Sequence, residues 1–108
     1  MKEYAIKSYI DDNGNEPVKD WLKSLDGTTR KRILLRFDRL RDGNFGDYKQ
    51  IDNDLYELRF MFGAGYRVYY TINDNTIILL INGGDKKSQL KDIKLAKKIT
   101  TNLKMKGI

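Results

Sequence analysis

Apolar residues in the first half of the chain recur at the spacing of helices. A candidate first strand covers residues 4–10, and a turn follows at residues 11–15, because Asn-Gly adopts positive φ at little cost. Pro17 then fits the first turn of a helix, where its missing N–H costs nothing. A second helix is predicted over residues 29–41. The apolar residues expected to face inward from these two helices are Val18, Trp21, Leu22, Leu25, Ile33, Leu34, Phe37 and Leu40.

The second half of the chain changes to the two-residue period of strands. Residues 55–62 and 66–72 alternate between apolar and polar, with a glycine-containing turn at 63–65 between them. Residues 76–81 are continuously apolar and predict a central strand, and a final helix is marked by Leu90, Ile93, Ala96, Ile99 and Leu103. The predicted order β-α-α-β-β-β-α is an α+β architecture: a small antiparallel sheet with the helices packed on one face.

Strand alternation predicts that two arginines share the face of the sheet opposite to the helices. If Leu58 and Val68 point to the core, then Arg59, Arg67 and Tyr69 point away from it. The segment Gly83-Gly84-Asp85-Lys86-Lys87 follows the central strand; its glycines would let the backbone approach a ligand, and its lysines add cations. We therefore expect both guanidinium groups and a lysine ammonium to converge on one solvent-open patch.

Such a patch suits a phosphodiester, because arginine can bind phosphate with two hydrogen bonds and preorganised cations stabilise the charge that develops during RNA cleavage. A solvated polar face on a basic protein is the alternative interpretation. Arg32, Arg36 and Arg39 form a stripe along the second helix, which would either bind RNA backbone or be an ordinary exposed face.

Composition narrows the chemistry further. Residues 1–108 are expected to form a single domain, with 21 basic against 15 acidic residues, a net charge of +6 and a pI near 9.5, all typical of a polyanion-binding protein. Histidine and cysteine are absent, which removes Ser-His-Asp and Cys-His nucleophiles and the usual zinc ligands. We expect no metal and no cofactor. Without a secretory leader or a long apolar run, we expect a cytoplasmic protein that does not enter the membrane.

Several motifs together resemble a known family. Trp21-Leu22 before a basic helix, Gly43-Asn44-Phe45-Gly46-Asp47, Tyr56-Glu57-Leu58-Arg59, Gly65-Tyr66-Arg67-Val68-Tyr69-Tyr70 and Gly83-Gly84-Asp85-Lys86-Lys87-Ser88-Gln89 are similar to the phage-derived, HigB-type branch of the RelE/ParE toxin superfamily. The resemblance covers residues 4–98 and implies a RelE-like fold. It further implies the toxin of a type II toxin–antitoxin system, an endoribonuclease that cleaves mRNA on the ribosome without a metal.

The resemblance also assigns residues. Arg67 matches the arginine that contacts the scissile phosphate, Arg59 matches a basic position of the preceding strand, and Lys86 falls where the family has a further cation. The residues expected to bind substrate around these three are Tyr69, Lys87, Arg32 and Arg36.

The chain departs from better-known members because no tyrosine follows Tyr70, and Glu57 stands where RelE has a lysine. The general base therefore stays open among Lys86, Lys87, Tyr69 and, more distantly, Asp92.

The resemblance implies a partner, a HigA-like antitoxin with a helix-turn-helix domain, through which the pair would bind operator DNA. Two other functions remain open: a ParE-like, non-enzymatic poison of DNA gyrase, and a basic phage protein that binds RNA or has a structural role.

Overall fold

The computed structural model describes residues 3–107. Within them the chain forms five strands and three helices. In chain order these are β1 (Ala5–Ser8), α1 (Pro17–Lys23), α2 (Gly27–Arg41), β2 (Tyr48–Asp52), β3 (Leu55–Arg59), β4 (Arg67–Asn73), β5 (Ile77–Gly84) and α3 (Gln89–Met105). The α+β class is confirmed.

The five strands form one sheet in the order β1-β5-β4-β3-β2. β1 pairs with β5 in parallel, and the other neighbours are antiparallel. The predicted order lacked one strand, β2, and is wrong at that point. β2 lies at the edge of the sheet with four of its five residues exposed, so it has none of the apolar alternation that marks a half-buried strand.

The sheet is covered on both faces, and the prediction that all three helices share one face is wrong. Helices α1 and α2 cover one face, where Val18, Ile33 and Phe37 pack against Leu58 and the other inward residues of β3, β4 and β5. Helix α3 covers the opposite face. Its buried residues form a second cluster with the sheet: Leu55, Tyr69, Ile81, Ala96 and Ile99.

Local signals explain where the first two helices begin. Pro17 occupies the first turn of α1, as predicted. Asp26 caps α2, because its carboxylate accepts a hydrogen bond of 3.1 Å from the backbone N–H of Thr29. The helix consequently begins at Gly27, two residues before the predicted start. Leu34 was expected to face inward but is 44% exposed, since it lies beside the buried stripe of α2 and outside it.

The antiparallel pairing brings three segments to the same end of the sheet. Arg59, the last residue of β3, pairs with Arg67, the first residue of β4. Arg67 pairs in turn with Gly84, the last residue of β5. The end of β3, the start of β4 and the loop that contains Lys86 are therefore neighbours. None of the helices in residues 3–107 has the length and apolarity needed to cross a bilayer.

Candidate functional site: a basic cleft at the end of the sheet

A cleft of about 390 Å³ opens at this end of the sheet. We call it the basic cleft; it is lined by Arg59, Phe60, Met61, Phe62, Gly63, Gly65, Tyr66, Arg67 and Lys86. Its volume lies in the range of small-ligand pockets, which is enough for a nucleotide-sized group. The predicted convergence of two arginines with a lysine from the loop after β5 is thus found in the structure.

The β3–β4 loop sets the position of Lys86. The backbone N–H of Lys86 donates to the carbonyl of Ala64 at 3.2 Å. Gly65 has a φ of +73°, and a Cβ added there would lie 3.3 Å from Cβ of Lys86. A glycine at this position therefore lets the two loops pack closely, which brings Lys86 beside Arg67.

Both arginines of the cleft have acidic neighbours. The patch therefore does not consist of cations alone, contrary to our expectation. Arg59 donates from Nε and Nη2 to Oδ1 of Asp47, at 3.2 and 2.9 Å, and the pair is about 40% exposed. Arg67 donates from Nη1 to the carbonyl of Gly65 at 2.7 Å, and its Nε lies 3.6 Å from Oε2 of the buried Glu57. These contacts fix both guanidinium groups in place at the wall of the cleft.

A second groove, of about 340 Å³, continues from the basic cleft along α2. We call it the α2 groove. It shares Arg59 and Phe60–Phe62 with the basic cleft, and α2 contributes Arg32, Leu35, Arg36 and Arg39. The two grooves together form one basic surface. Met61, 86% exposed, lies where they meet. This position of Met61 was not predicted, because the alternating pattern placed it inside a strand over residues 55–62, whereas β3 ends at Arg59.

Arg32 and Arg36, both expected to bind substrate, have different surroundings. Arg32 is exposed and its guanidinium lies 3.7 Å from the centre of the Phe62 ring. Arg36 is half-buried and donates from Nη1 to the carbonyl of Arg59 at 2.9 Å and from Nη2 to that of Phe45 at 3.2 Å. Burial lowers the pKa of Arg36. Its donors tie α2 to the strand end, so the expected substrate contact for Arg36 does not fit its geometry.

The expectation that Tyr69 lies on an open face is wrong. Tyr69 is fully buried because α3 covers that part of the sheet. Burial, and then the nearby Glu57 carboxylate, raise the pKa of Tyr69. Lys87, by contrast, is exposed, but it lies next to the basic cleft and does not line it.

The two glycines at the end of β5 serve the protein's own packing and not the approach of a ligand. A Cβ on Gly83 would lie 2.4 Å from the ring of Trp21, and one on Gly84 would overlap the carboxylate of Asp92. Trp21 packs against the main core cluster, as predicted. Asp92 accepts a hydrogen bond from Ser88 Oγ at 2.5 Å, and burial raises the pKa of Asp92.

The two acidic residues beside the turn of the β2–β3 hairpin do not line the cleft. Asp52 is the last residue of β2, and Asp54 directly precedes β3. Asp54 forms an ion pair with Lys104 of α3. In residues 3–107 no three acidic side chains are grouped so that they could bind a metal ion.

Comparison with known proteins gives three findings. The family described as "Phage derived protein Gp49-like (DUF891)" matches residues 20–104. An uncharacterized protein of Haemophilus influenzae is 43% identical over 84 residues, which cover 77% of this chain and 85% of that protein. Among solved structures, a double arginine-to-alanine mutant of E. coli toxin RelE in the free state is similar, with a TM-score of 0.64 and 16% identity. That match covers 90% of this chain and 98% of the other.

Proposed function

Since the chain belongs to the phage-derived Gp49-like family and has the fold of RelE, we propose that residues 1–108 are the toxin domain of a type II toxin–antitoxin system and cleave mRNA. The family match and the shared fold confirm the resemblance to the RelE/ParE superfamily that the motifs indicate. We propose nuclease activity in addition, on the basis of the basic cleft.

The observation that carries the proposal is the convergence of Arg59, Arg67 and Lys86 on one cleft. Three cations around a cavity of nucleotide size would attract a phosphodiester and stabilise the negative charge that its oxygens gain during cleavage.

In the proposed reaction the 2′-hydroxyl of the RNA attacks the adjacent phosphorus. The bond between phosphorus and the 5′ oxygen breaks, which leaves a 2′,3′-cyclic phosphate and a free 5′-hydroxyl. One proton leaves the 2′ oxygen and one is delivered to the departing 5′ oxygen. Arg67 and Arg59 would bind and neutralise the phosphate, and Lys86 would assist the proton transfer.

Burial reduces the number of residues that could accept the 2′ proton. Tyr69 is fully buried under α3 and its raised pKa keeps the hydroxyl protonated, so we do not assign it this role. Asp92 is engaged by Ser88 beneath the glycines of β5. Lys86 and Lys87 are both exposed, but of the two only Lys86 lines the basic cleft, so Lys86 is the remaining candidate for the base.

The α2 groove supplies a path for RNA on either side of the cut. Arg32 and Arg39 are exposed along it and would contact phosphates without recognising bases. We propose that translated mRNA, presented by the ribosome in the cytoplasm, is the substrate.

The proposed neutralising partner is an antitoxin with a helix-turn-helix domain, through which alone the pair would bind operator DNA. An acidic antitoxin segment would associate rapidly with a protein of net charge +6.

The experiment compares the wild type, Arg67→Ala and a control, Arg41→Ala, in a translation extract. Arg41 is an exposed arginine paired with Asp38, so the control removes an equal charge outside the cleft. We expect mRNA cleavage by the wild type and the control, persisting in EDTA, and loss of cleavage with Arg67→Ala. Gyrase-linked DNA breaks with intact mRNA would indicate a ParE-like poison, and expression without growth arrest would indicate a basic phage protein that binds RNA or has a structural role.

A further inference from the structure

Glu57 is a carboxylate buried directly behind the basic cleft. It lies in the middle of β3, opposite Tyr69 of β4, on the face of the sheet that α3 covers, and is 1% exposed. It does not line the cleft, and none of the steps proposed above uses it. A charged group removed from water is costly unless it is paired, so its partners indicate why it is there.

Two side chains contact the same oxygen of Glu57. Gln89, the first residue of α3, donates from Nε2 to Oε2 at 2.9 Å. Nε of Arg67 lies 3.6 Å from that oxygen. Glu57 thus joins the start of α3 to the arginine that lines the cleft.

Arg67 is held from two sides as a result. Its Nη1 donates to the carbonyl of Gly65 at 2.7 Å, and its Nε faces Glu57, which leaves the side chain 16% exposed. A long arginine side chain normally loses rotamer freedom when it binds a ligand. Here that freedom is already removed, so the guanidinium has its orientation before RNA arrives.

We propose that Glu57 is a positioning residue: it holds the guanidinium of Arg67 in the orientation needed to stabilise the phosphate in the transition state, and Gln89 keeps Glu57 in place. This inference rests on the proposed function for its catalytic part. The coupling between Glu57 and Arg67 does not depend on that function and can be measured separately.

The charge of Glu57 gives the proposal a distinctive signature. A negative charge behind the cleft weakens the attraction of RNA, so Glu57→Gln should bind RNA as tightly as the wild type or more tightly. The same substitution releases Arg67, so the rate of the chemical step should fall. A merely structural defect would lower binding and cleavage together.

The kinetic test measures RNA affinity and single-turnover cleavage for Glu57→Gln, Gln89→Ala and Asp38→Asn. Asp38→Asn is the control, because it changes the net charge equally at an exposed pair outside the cleft. We expect cleavage by Glu57→Gln to fall on the order of 10-fold to 100-fold with affinity retained. Gln89→Ala should lower the cleavage rate by a smaller factor, also with RNA affinity retained. If Glu57→Gln does not fold, the result for Gln89→Ala tests the proposal. Wild-type cleavage rates in both variants, or equal losses of affinity and rate, would overturn the proposal.

The second test is a double-mutant cycle in urea unfolding with Glu57→Gln, Arg67→Ala and the double variant. Arg67→Ala leaves a buried carboxylate without its cation, so we expect a lower unfolding midpoint that Glu57→Gln partly restores. Additive shifts would overturn the coupling. If the wild type cleaves no RNA while the cycle shows coupling, the proposed function fails and the buried pair stands.

Discussion

The pair between Arg59 and Asp47 allows a quantitative prediction about RNA binding. Asp47 lines the α2 groove and accepts two hydrogen bonds from Arg59, so a phosphate that binds Arg59 must compete with this carboxylate. Asp47→Asn removes the competing charge and leaves a side chain of nearly the same size. We therefore expect tighter RNA binding.

The size of the effect follows from the exposure of the pair. At about 40% exposure the interaction is screened by water, and its electrostatic energy is on the order of 1 kcal/mol. Removing this competition should lower Kd for RNA roughly fivefold at low salt. Releasing Arg59 to a phosphate also adds about one counterion to those displaced, so the slope of log K against log salt should steepen by about 0.7 for single-stranded RNA.

The assay is fluorescence anisotropy with a labelled single-stranded RNA at several salt concentrations. Asp38→Asn is the matched control: it frees Arg41 from a similar arginine pair on the outer side of α2 and changes the net charge equally. An equal gain of affinity in both variants would show that overall charge attracts RNA, and would refute the reasoning that Arg59 contacts phosphate at a defined site.

Three further predictions concern cleavage and stability. Lys86→Ala should reduce single-turnover cleavage on the order of tenfold or more, whereas Lys87→Ala should change it little, because only Lys86 lines the cleft. Gly83→Ala should lower the free energy of unfolding in urea by about 1–3 kcal/mol, because the added methyl group would overlap the tryptophan ring of α1. Gly27→Ala is the control and should lose no stability, because a Cβ at that position meets nothing within 4 Å. Hydrogen bonds from the first turn of α2 lower the pKa of Asp26, so its stabilisation should be present above pH 3.8 and be lost as pH falls through the lowered pKa. The stability difference between the wild type and Asp26→Ala should therefore shrink in acid unfolding curves; a constant difference would contradict this cap.

The sequence predicts much of the sheet because the segments that form β3 and β4 alternate between two sets of residues. Alternation in β3 and β4 was enough to place Arg59 and Arg67 on one face, and the structure pairs them directly. Edge strand β2 could not be found in this way, because its side chains are mostly exposed and carry no period.

The face covered by α3 also could not be predicted. An amphipathic helix shows which of its own sides is buried, but not which face of a sheet it covers. This single uncertainty accounts for the error at Tyr69, which the pattern placed in the open and α3 buries. The burial of Glu57 could not be predicted for the same reason, because its contact with Gln89 depends on the position of α3.

The acidic partners of the cleft arginines were missed for a related reason. Asp47 is separated from Arg59 by a hairpin whose first strand was not predicted, so their contact has no signal in the spacing of residues. The position of Lys86 beside Arg67 was easier to predict. Lys86 lies in the loop that directly follows β5, and in an antiparallel pair the end of one strand lies beside the start of its neighbour.

The most direct test of the account uses a short mRNA, presented by the ribosome, that the protein cuts at one mapped position, with the 2′-hydroxyl removed from the nucleotide on the 5′ side of the cut. If the cations of the basic cleft promote attack by that hydroxyl on the adjacent phosphate, the substituted position should stay intact while the unmodified RNA yields a 2′,3′-cyclic phosphate and a 5′-hydroxyl. Cleavage at the substituted position at an undiminished rate would contradict the proposed mechanism.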